Sequence, residues 1–386
     1  MTVFALGSLI LILILFGIWE YQTHQIVLSR LPNRIHVNGS RGKSSVVRLI
    51  AAGLRAGGFK TIAKVTGTSP RVIDSLGKDR IIHRLRSPSI GEQLRLMRVL
   101  SREKPDYLIM ECMAVQPDYQ WVSEHKMVRS QIGVITNVRP DHVDEMGYTV
   151  DDITHSLCNS IPDNGTLIAT EGSTNDIIKN RATQNNSDVV FCSGEDVPSE
   201  TMHGFSYLEH RENVALALKV CDLAGVEKEI ALKGMTSAQP DPGALHIWKI
   251  GTNEHFNYFI NAFAANDPES TFHIWKMLTE KVSNEKISVF LNTRSDRRYR
   301  TTQMAELIFS KLNPHLLIVR GNNLPDFSGY KNHSISEIKY FSESAKPNEI
   351  IKFITSLKNE YIMGIGNMVG WGESFMKELK LKRIND

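Results

Sequence analysis

Apolar and polar positions divide the chain into one unbroken apolar run followed by a long alternation. Val3–Trp19, VFALGSLILILILFGIW, is seventeen residues without a charge. As a helix at ~1.5 Å per residue it spans roughly 25 Å, the short end of what crosses a bilayer. A retained membrane anchor over residues 1–20 is the expectation. A cleaved signal peptide and a buried core helix are the alternatives. Against them, no basic residue precedes the run, no small-x-small cleavage site follows it, and it is apolar on every face. His24, Arg30 and Arg34 come next, so the positive-inside rule leaves the rest of the chain in the cytoplasm.

After the anchor the pattern changes period. Arg34-Ile35-His36-Val37 alternates polar and apolar, as a short strand does, and Val47, Ile50, Ala51 and Leu54 recur at helical spacing. Gly57-Gly58 then stops the helix. Further apolar runs at Tyr107–Cys112, Gln131–Val138 and Thr166–Thr170 read as buried strands between helices, hence a mostly parallel sheet covered on both faces. Ser237–Leu245, SAQPDPGAL, breaks the pattern with two prolines and a glycine. Beyond it, strand-like runs at Phe256–Phe263, Ile287–Leu291, Leu316–Val319 and Tyr361–Ile365 start a second alternation. The expected fold is therefore α/β: an N-terminal transmembrane helix, a nucleotide-binding domain over residues 30–240 with a mostly parallel sheet, and a smaller Rossmann-like domain over residues 245–386.

Composition narrows the function only by exclusion. With 41% hydrophobic and 23% charged residues the chain is ordinary globular protein, and a net charge of +3 is no footprint for nucleic acid. The four cysteines form no C-x-x-C pair, so neither a disulfide framework nor a zinc knuckle is indicated.

Three groups of residues at predicted strand ends can carry chemistry. In RIHVNGSRGKSSVVRLI, Gly39 and Gly42 are separated by only Ser40 and Arg41, two residues fewer than the usual phosphate loop has between its first glycine and its Gly-Lys pair. Strand, glycine turn and helix still aim backbone N–H groups and a helix N-terminus at a phosphate, with Lys43 for the outer phosphates, Ser44 for magnesium, and Ser45 beside them. Glu111 ends the second strand as a natural magnesium ligand. ITNVRPDHVDEMG gathers Asn137, Asp141, His142 and Asp144, a set suited to a cation or to proton transfer. Plainer alternatives are a tight turn with an exposed lysine, a rim glutamate, and a solvated helix start.

Taken in order, the short Gly-x-x-Gly-Lys-Ser loop, the strand-end glutamate and the Asn-x-x-x-Asp-His-x-Asp cluster resemble the Mur ligase superfamily, which includes folylpolyglutamate synthase. Gly67–Pro70, GTSP, looks like that enzyme's magnesium loop, bringing in Ser69. His210–Leu218 resembles the family's adenine-contacting Asn-x-x-Asn-x-x-Ala helix, with Asn213 at the second asparagine and His210 in place of the first. Phe263–Ser270 is similar to an Ala-His-Asn-Pro stretch, with Ala265 where histidine is usual. Ser89–Gln93, Glu111–Gln120, Pro240–Ala244, Asn261–Thr271, Leu291–Arg297 and Gly364–Gly370 narrow the likeness to the B subunits of capsular poly-γ-glutamate synthases, from about residue 1 to 375.

That resemblance implies an ATP-dependent carboxylate–amine ligase acting on glutamate and a poly-γ-glutamate chain, with ATP and Mg2+. Lys43, Glu111, His142 and Arg297 would be catalytic. Gly39, Ser40, Arg41, Gly42, Lys43, Ser44, Ser45, Asn137, Asn213 and Arg294 would bind nucleotide, and Ser44, Ser69, Glu111 and His142 would hold the metal. It also implies small membrane subunits as partners, since one membrane segment is too little for a pore, and leaves oligomerisation possible. Alternatives are a membrane-tethered regulatory ATPase and a soluble folate-type ligase. The chain departs from the superfamily at one further position. Many of these ligases carry a carbamylated lysine some sixteen residues after the aspartate of the Asp-His pair, where Leu157 stands here. No lysine occurs between Lys126 and Lys179.

Overall fold

The computed structural model describes residues 2–66, 70–83, 89–202, 204–205, 207–240, 245–252, 254–263, 265, 267–282, 286–294, 298–321, 335 and 337–384. The chain divides into two compact units, Met1–Phe205 with Glu209–Gly243, and Ser206–Leu208 with Ala244–Asp386. The short excursion at 206–208 has a simple cause. Tyr207 and Leu208 pair antiparallel with His246 and Leu245, so they join the second unit's sheet.

The first unit is an eight-stranded sheet. Its strands are β1 (Asn33–Asn38), β2 (Thr61–Val65), β3 (Arg71–Ile73), β4 (Asp79–Ile81), β5 (Tyr107–Glu111), β6 (Ile132–Ile135), β7 (Thr166–Thr170) and β8 (Asp188–Cys192), in the order β4-β3-β2-β5-β1-β6-β7-β8. From β2 to β8 all neighbours are parallel, and β3 and β4 add an antiparallel hairpin at one edge. The sequence pattern located β1, β5, β6 and β7; β2, the polar hairpin and β8 escaped it. β1 lies between β5 and β6, so its carboxyl end opens among the loops that follow all three strands.

Three helices matter for the site: α1 (Thr2–Ser29), α2 (Lys43–Ala56) and α3 (Gly91–Leu100). Every residue of α2 from Val46 to Leu54 is buried, because it lies between the sheet and the helices Arg211–Leu223 and Lys228–Thr236. α1 runs nine residues beyond the expected anchor. Its polar stretch Glu20–Gln25 contains no helix breaker, and Pro32 is the first residue that could not continue it. Phe4–Trp19 is exposed throughout, whereas Val27, Leu28 and Leu31 enter a core cluster with Ile62, Met97, Leu100, Leu108 and Val128. Arg34 closes the junction. Its guanidinium donates to the Leu28 carbonyl (3.3 Å), to the Leu31 carbonyl, and to the carbonyls of Val128 (2.8 Å) and Arg129 (2.8 Å).

The second unit holds β9 (Tyr207–Leu208), β10 (Leu245–Gly251), β11 (Phe256–Asn261), β12 (Lys286–Asn292), β13 (Leu316–Arg320), β14 (Glu337–Phe341) and β15 (Glu360–Gly366), ordered β14-β13-β12-β15-β11-β10-β9. It is parallel from β14 to β11. Alternate residues of β12 feed opposite faces, Val289 and Leu291 one core cluster and Phe290 the other, the pattern of a sheet covered on both sides.

Candidate active site

β1 delivers the chain into the loop Gly39–Gly42 with every strand residue after Asn33 buried. Both glycines are required by close contact as well as by backbone angle. Gly39 has φ 133°, and a Cβ there would lie 2.1 Å from Thr136 Oγ1; Gly42 has φ 80°, and a Cβ would lie 2.8 Å from Asn213 Oδ1. The two-residue turn is held from the protein side. Gly39 N–H donates to Asn38 Oδ1 (2.8 Å), Ser40 N–H to the Asn137 carbonyl (3.0 Å), and Arg41 N–H to Asn137 Oδ1 (3.0 Å). Asn137 Nδ2 (3.0 Å) and Thr136 Oγ1 (2.5 Å) donate to the Arg41 carbonyl. Ser40 Oγ bridges the Arg139 backbone, donating to its carbonyl at 2.8 Å and accepting from its N–H at 3.0 Å.

These bonds use the N–H groups of residues 39–41. Among the described residues none is made by the N–H groups of Gly42, Lys43, Ser44 or Ser45, the orphan donors of the first turn of α2. The donors left open to an anion at this loop are therefore those of the helix N-terminus. Lys43 Nζ lies over the same mouth, donating to the carbonyls of Gly39 (2.5 Å) and Ser40 (3.1 Å).

Ser44 Oγ donates to Glu111 Oε2 at 2.7 Å, and Thr66 N–H donates to the same oxygen at 2.7 Å. The helix start, the end of β2 and the end of β5 thus converge on one carboxylate that is 3% exposed. No cluster of three or more His, Cys, Asp or Glu able to hold a metal occurs among the described residues. The Ser44–Glu111 pair fits a magnesium ion that brings phosphate oxygens and water with it.

His142 is not hydrogen-bonded to this pair. It is exposed, has φ 46°, and precedes the short helix Val143–Met146. Its ring makes no hydrogen bond or ion pair among the described residues. Asp141 faces the loop, with Arg41 Nη2 3.4 Å from its Oδ1. Asn213 is buried against Gly42 and donates to Glu209 Oε1 at 2.8 Å, so it also shapes the loop. Ser69 and Arg297 lie outside the described residues. Arg294 follows β12 in the second unit and is half-buried.

Pattern reading missed the residues that brace the loop from below. Asn38 Nδ2 donates to Gln120 Oε1 (2.8 Å) and Ser160 Oγ (3.1 Å), and Gln120 Nε2 to the Val115 carbonyl (2.7 Å) and Ser156 Oγ (3.0 Å). Lys64 was missed as well: fully buried at the end of β2, it reaches Glu92 Oε1 at 3.5 Å. A buried polar residue on a strand was the available signal, but its partners lie far away in sequence.

Comparison with known proteins decides the family. Residues 247–382 match the poly-gamma-glutamate synthase CapB C-terminal domain, and residues 37–239 match the Mur ligase middle domain. The capsule biosynthesis protein CapB of Bacillus anthracis is 36% identical over 388 aligned positions, covering 99% of this chain and 84% of that protein. The chain belongs to the CapB family. The PGA synthase CapB of Bacillus subtilis (strain 168) is 34% identical, over 97% of each chain. Two solved structures share the CapB-family fold at low identity. Folylpolyglutamate synthase from Thermotoga maritima has a TM-score of 0.60 at 14% identity, over 95% of this chain and 94% of that one. MurF from Acinetobacter baumannii has a TM-score of 0.62 at 16% identity, over 94% and 79%.

Proposed function

We infer that this CapB-family chain is an ATP-dependent amide ligase that extends poly-γ-glutamate. The observation that carries the inference is the loop: a helix N-terminus with four open N–H donors, Lys43 at its mouth, and Ser44 hydrogen-bonded to Glu111, in a chain whose relatives over nearly its full length are a capsule biosynthesis protein CapB and a PGA synthase CapB. A carboxylate oxygen at the polymer end attacks the γ-phosphorus of ATP. The bond to the β–γ bridging oxygen breaks, ADP leaves, and an acyl phosphate forms. The amine of glutamate then attacks the acyl carbon, sheds a proton, and expels inorganic phosphate as the amide forms.

The protein's share is positioning and charge. The N–H groups of residues 42–45 and the Lys43 ammonium would hold the β- and γ-phosphates, with Ser45 and Asn213 on either side of the loop. Ser44 and Glu111 would hold magnesium, joined by Ser69 and His142, and the ion would neutralise phosphoryl charge. Arg41 and Asn137 keep the loop in shape. Arg294 is proposed as a nucleotide-binding residue and Arg297 as a catalytic one. The domain limits 30–240 and 245–386 belong to the same proposal, as do a membrane location through α1 with the catalytic part in the cytoplasm and small membrane subunits as export partners.

Membranes carrying the full chain, given ATP, Mg2+ and labelled glutamate, should release ADP in step with glutamate incorporation into polymer. Lys43→Ala should lower both by at least about a hundredfold, the loss expected on removing one preorganised electrostatic group. ATP hydrolysis that ignores glutamate would instead support a regulatory ATPase.

A further inference from the structure

The apolar helix enters the folded unit without a linker. Trp19 ends the uncharged run, and the first half-buried residues of α1 are Thr23, His24 and Gln25. At ~1.5 Å per residue the fold begins roughly 6–9 Å along the axis from Trp19. One leaflet's headgroup layer is about 5–7 Å thick. Whatever part of the fold meets α1 at this level lies at the outer edge of the headgroups, within reach of long side chains, if α1 spans the bilayer.

That part is the π-helical turn Ser123–Val128 and its flanks. His24 Nε2 and the Met127 carbonyl are 2.8 Å apart, and Arg129 Nη1 donates to Gln25 Oε1 at 3.3 Å. On either side of Met127, Lys126 and Arg129 are exposed. The Lys126 ammonium lies 4.9 Å from the centroid of the Trp121 ring, itself 38% exposed. Helix α3 packs on α1 and carries the half-buried Arg98 in its last turn. An exposed tryptophan among basic side chains is the composition of a membrane interface. The turn is also rigid. Its carboxylate, Glu124, is buried, accepting from Ser130 N–H (2.7 Å) and Oγ (2.9 Å) and pairing with His36 Nδ1 (2.7 Å). Nearby Asp163 is paired with His125 at 2.9 Å, and the exposed carboxylates that oppose the basic groups include Asp118, on the helix that carries Trp121, and Glu20, on α1.

We propose that the Trp121–Arg129 segment, with Arg98, is a bilayer-facing surface that seats anionic phospholipid headgroups around the base of α1. The proposal rests on α1 spanning the membrane. In the wild-type chain Lys126, Arg129 and Arg98 enter the headgroup layer as a fixed basic collar, setting the catalytic unit's height and tilt on the membrane.

The test uses the full chain in phosphatidylcholine nanodiscs, with and without phosphatidylglycerol. Each nanodisc carries a trace photo-crosslinking probe, either on the acyl chain or on the phosphatidylglycerol headgroup, and labelled peptides are mapped by mass spectrometry. The acyl probe should label residues 4–19. The headgroup probe should label residues 95–99 and 121–129, and do so less at high salt. Lys126→Gln together with Arg129→Gln should cut headgroup labelling of the turn about fivefold or more, with acyl labelling and ATP turnover unchanged. Residues 4–19 labelled by the acyl probe while 121–129 stay unlabelled, or labelling that ignores the double substitution, would overturn the proposal alone. Absence of acyl labelling at 4–19 would overturn the membrane assignment beneath it. Loss of headgroup labelling on adding poly-γ-glutamate at constant salt would assign the surface to the polymer and also overturn it.

Discussion

Replacing Glu111 by glutamine isolates charge from shape. The native carboxylate accepts two hydrogen bonds on one oxygen, from Ser44 Oγ and from Thr66 N–H, both at 2.7 Å. Glutamine keeps the volume and, with its amide oxygen in the place of Oε2, both hydrogen bonds, while the amide NH2 replaces the charge. A hydrogen bond to a charged group contributes roughly 1.5–3 kcal/mol and a neutral one about 0.5–1.5, so the loss of folding stability should be small, about 1–2 kcal/mol, because both partners are retained and only the charge is lost. Catalysis should lose more. Removing one preorganised electrostatic group costs about 10²–10³ in turnover, roughly 2.7–4 kcal/mol. Since this carboxylate is assigned to magnesium, part of that loss should be recovered by raising the metal concentration. The assay is glutamate-dependent ADP release across a magnesium titration, with urea unfolding as the control. The expected result is at least about a hundredfold lower turnover at low magnesium, a raised magnesium requirement, and an unfolding midpoint only slightly reduced. Near-normal turnover with an unchanged magnesium requirement would refute the assignment of Glu111. A collapse of stability matching the loss of activity would reduce Glu111 to a structural strand end.

Other consequences are as direct. Deleting residues 1–20 should leave a folded chain that no longer sediments with membranes. Deleting residues 1–31 should unfold it, because Val27, Leu28 and Leu31 leave the core at about 1.5–3 kcal/mol each, a sum comparable to a domain's ~5–15 kcal/mol stability; circular dichroism of the two truncations decides. Burial alone would lower the pKa of His36, but the Cys112 sulfur and the Glu124 carboxylate outweigh it and raise it from 6.5 to about 10. A raised folded pKa means the pair's stabilisation is complete below about pH 6.5 and is lost as pH rises through about 10, so the urea midpoint should fall over that window in the wild type and stay level in His36→Gln. Leu157 is 1% exposed in a cluster with Ile153, Ile161, Leu167 and Ile178, so no carbamate can form there. Activity of degassed enzyme should therefore not respond to bicarbonate, and strong stimulation traced to a metal-bound lysine would contradict this.

The parts legible in the sequence share a physical trait: their signal is local. β5, β7 and β15 are apolar runs bounded by polar residues, and α2 announces itself by helical spacing after a glycine turn. The elements that escaped are defined by distant partners. β4 is exposed and polar, and it is a strand only because Asp79–Ile81 pairs with Arg71–Ile73. β9 is two residues long and exists through pairing with β10. The chemistry divides the same way. Lys43, Ser44 and Glu111 stand out by residue type at strand ends, whereas Asn38 earns its place only by reaching Gln120 and Ser160, 82 and 122 residues away.

The distant partners also explain how so short a phosphate loop can work. A longer loop wraps a phosphate with its own N–H groups. Here those of Gly39, Ser40 and Arg41 are taken by Asn38 and Asn137, so the loop is shaped by protein rather than by ligand. The open donors are concentrated on the first turn of α2, whose position is fixed by nine consecutive buried residues. Donors held this way need little reorganisation when charge develops on a phosphoryl group, the condition under which electrostatic stabilisation is largest. Asn137 is the keystone of that arrangement, since its side chain bonds both the N–H and the carbonyl of Arg41. Asn137→Ala would remove both bonds and free the Arg41 N–H to turn toward solvent. The loop would keep its glycines, its lysine and the Thr136 Oγ1 bond to the Arg41 carbonyl but hold Arg41 less firmly, a defect of positioning rather than of charge.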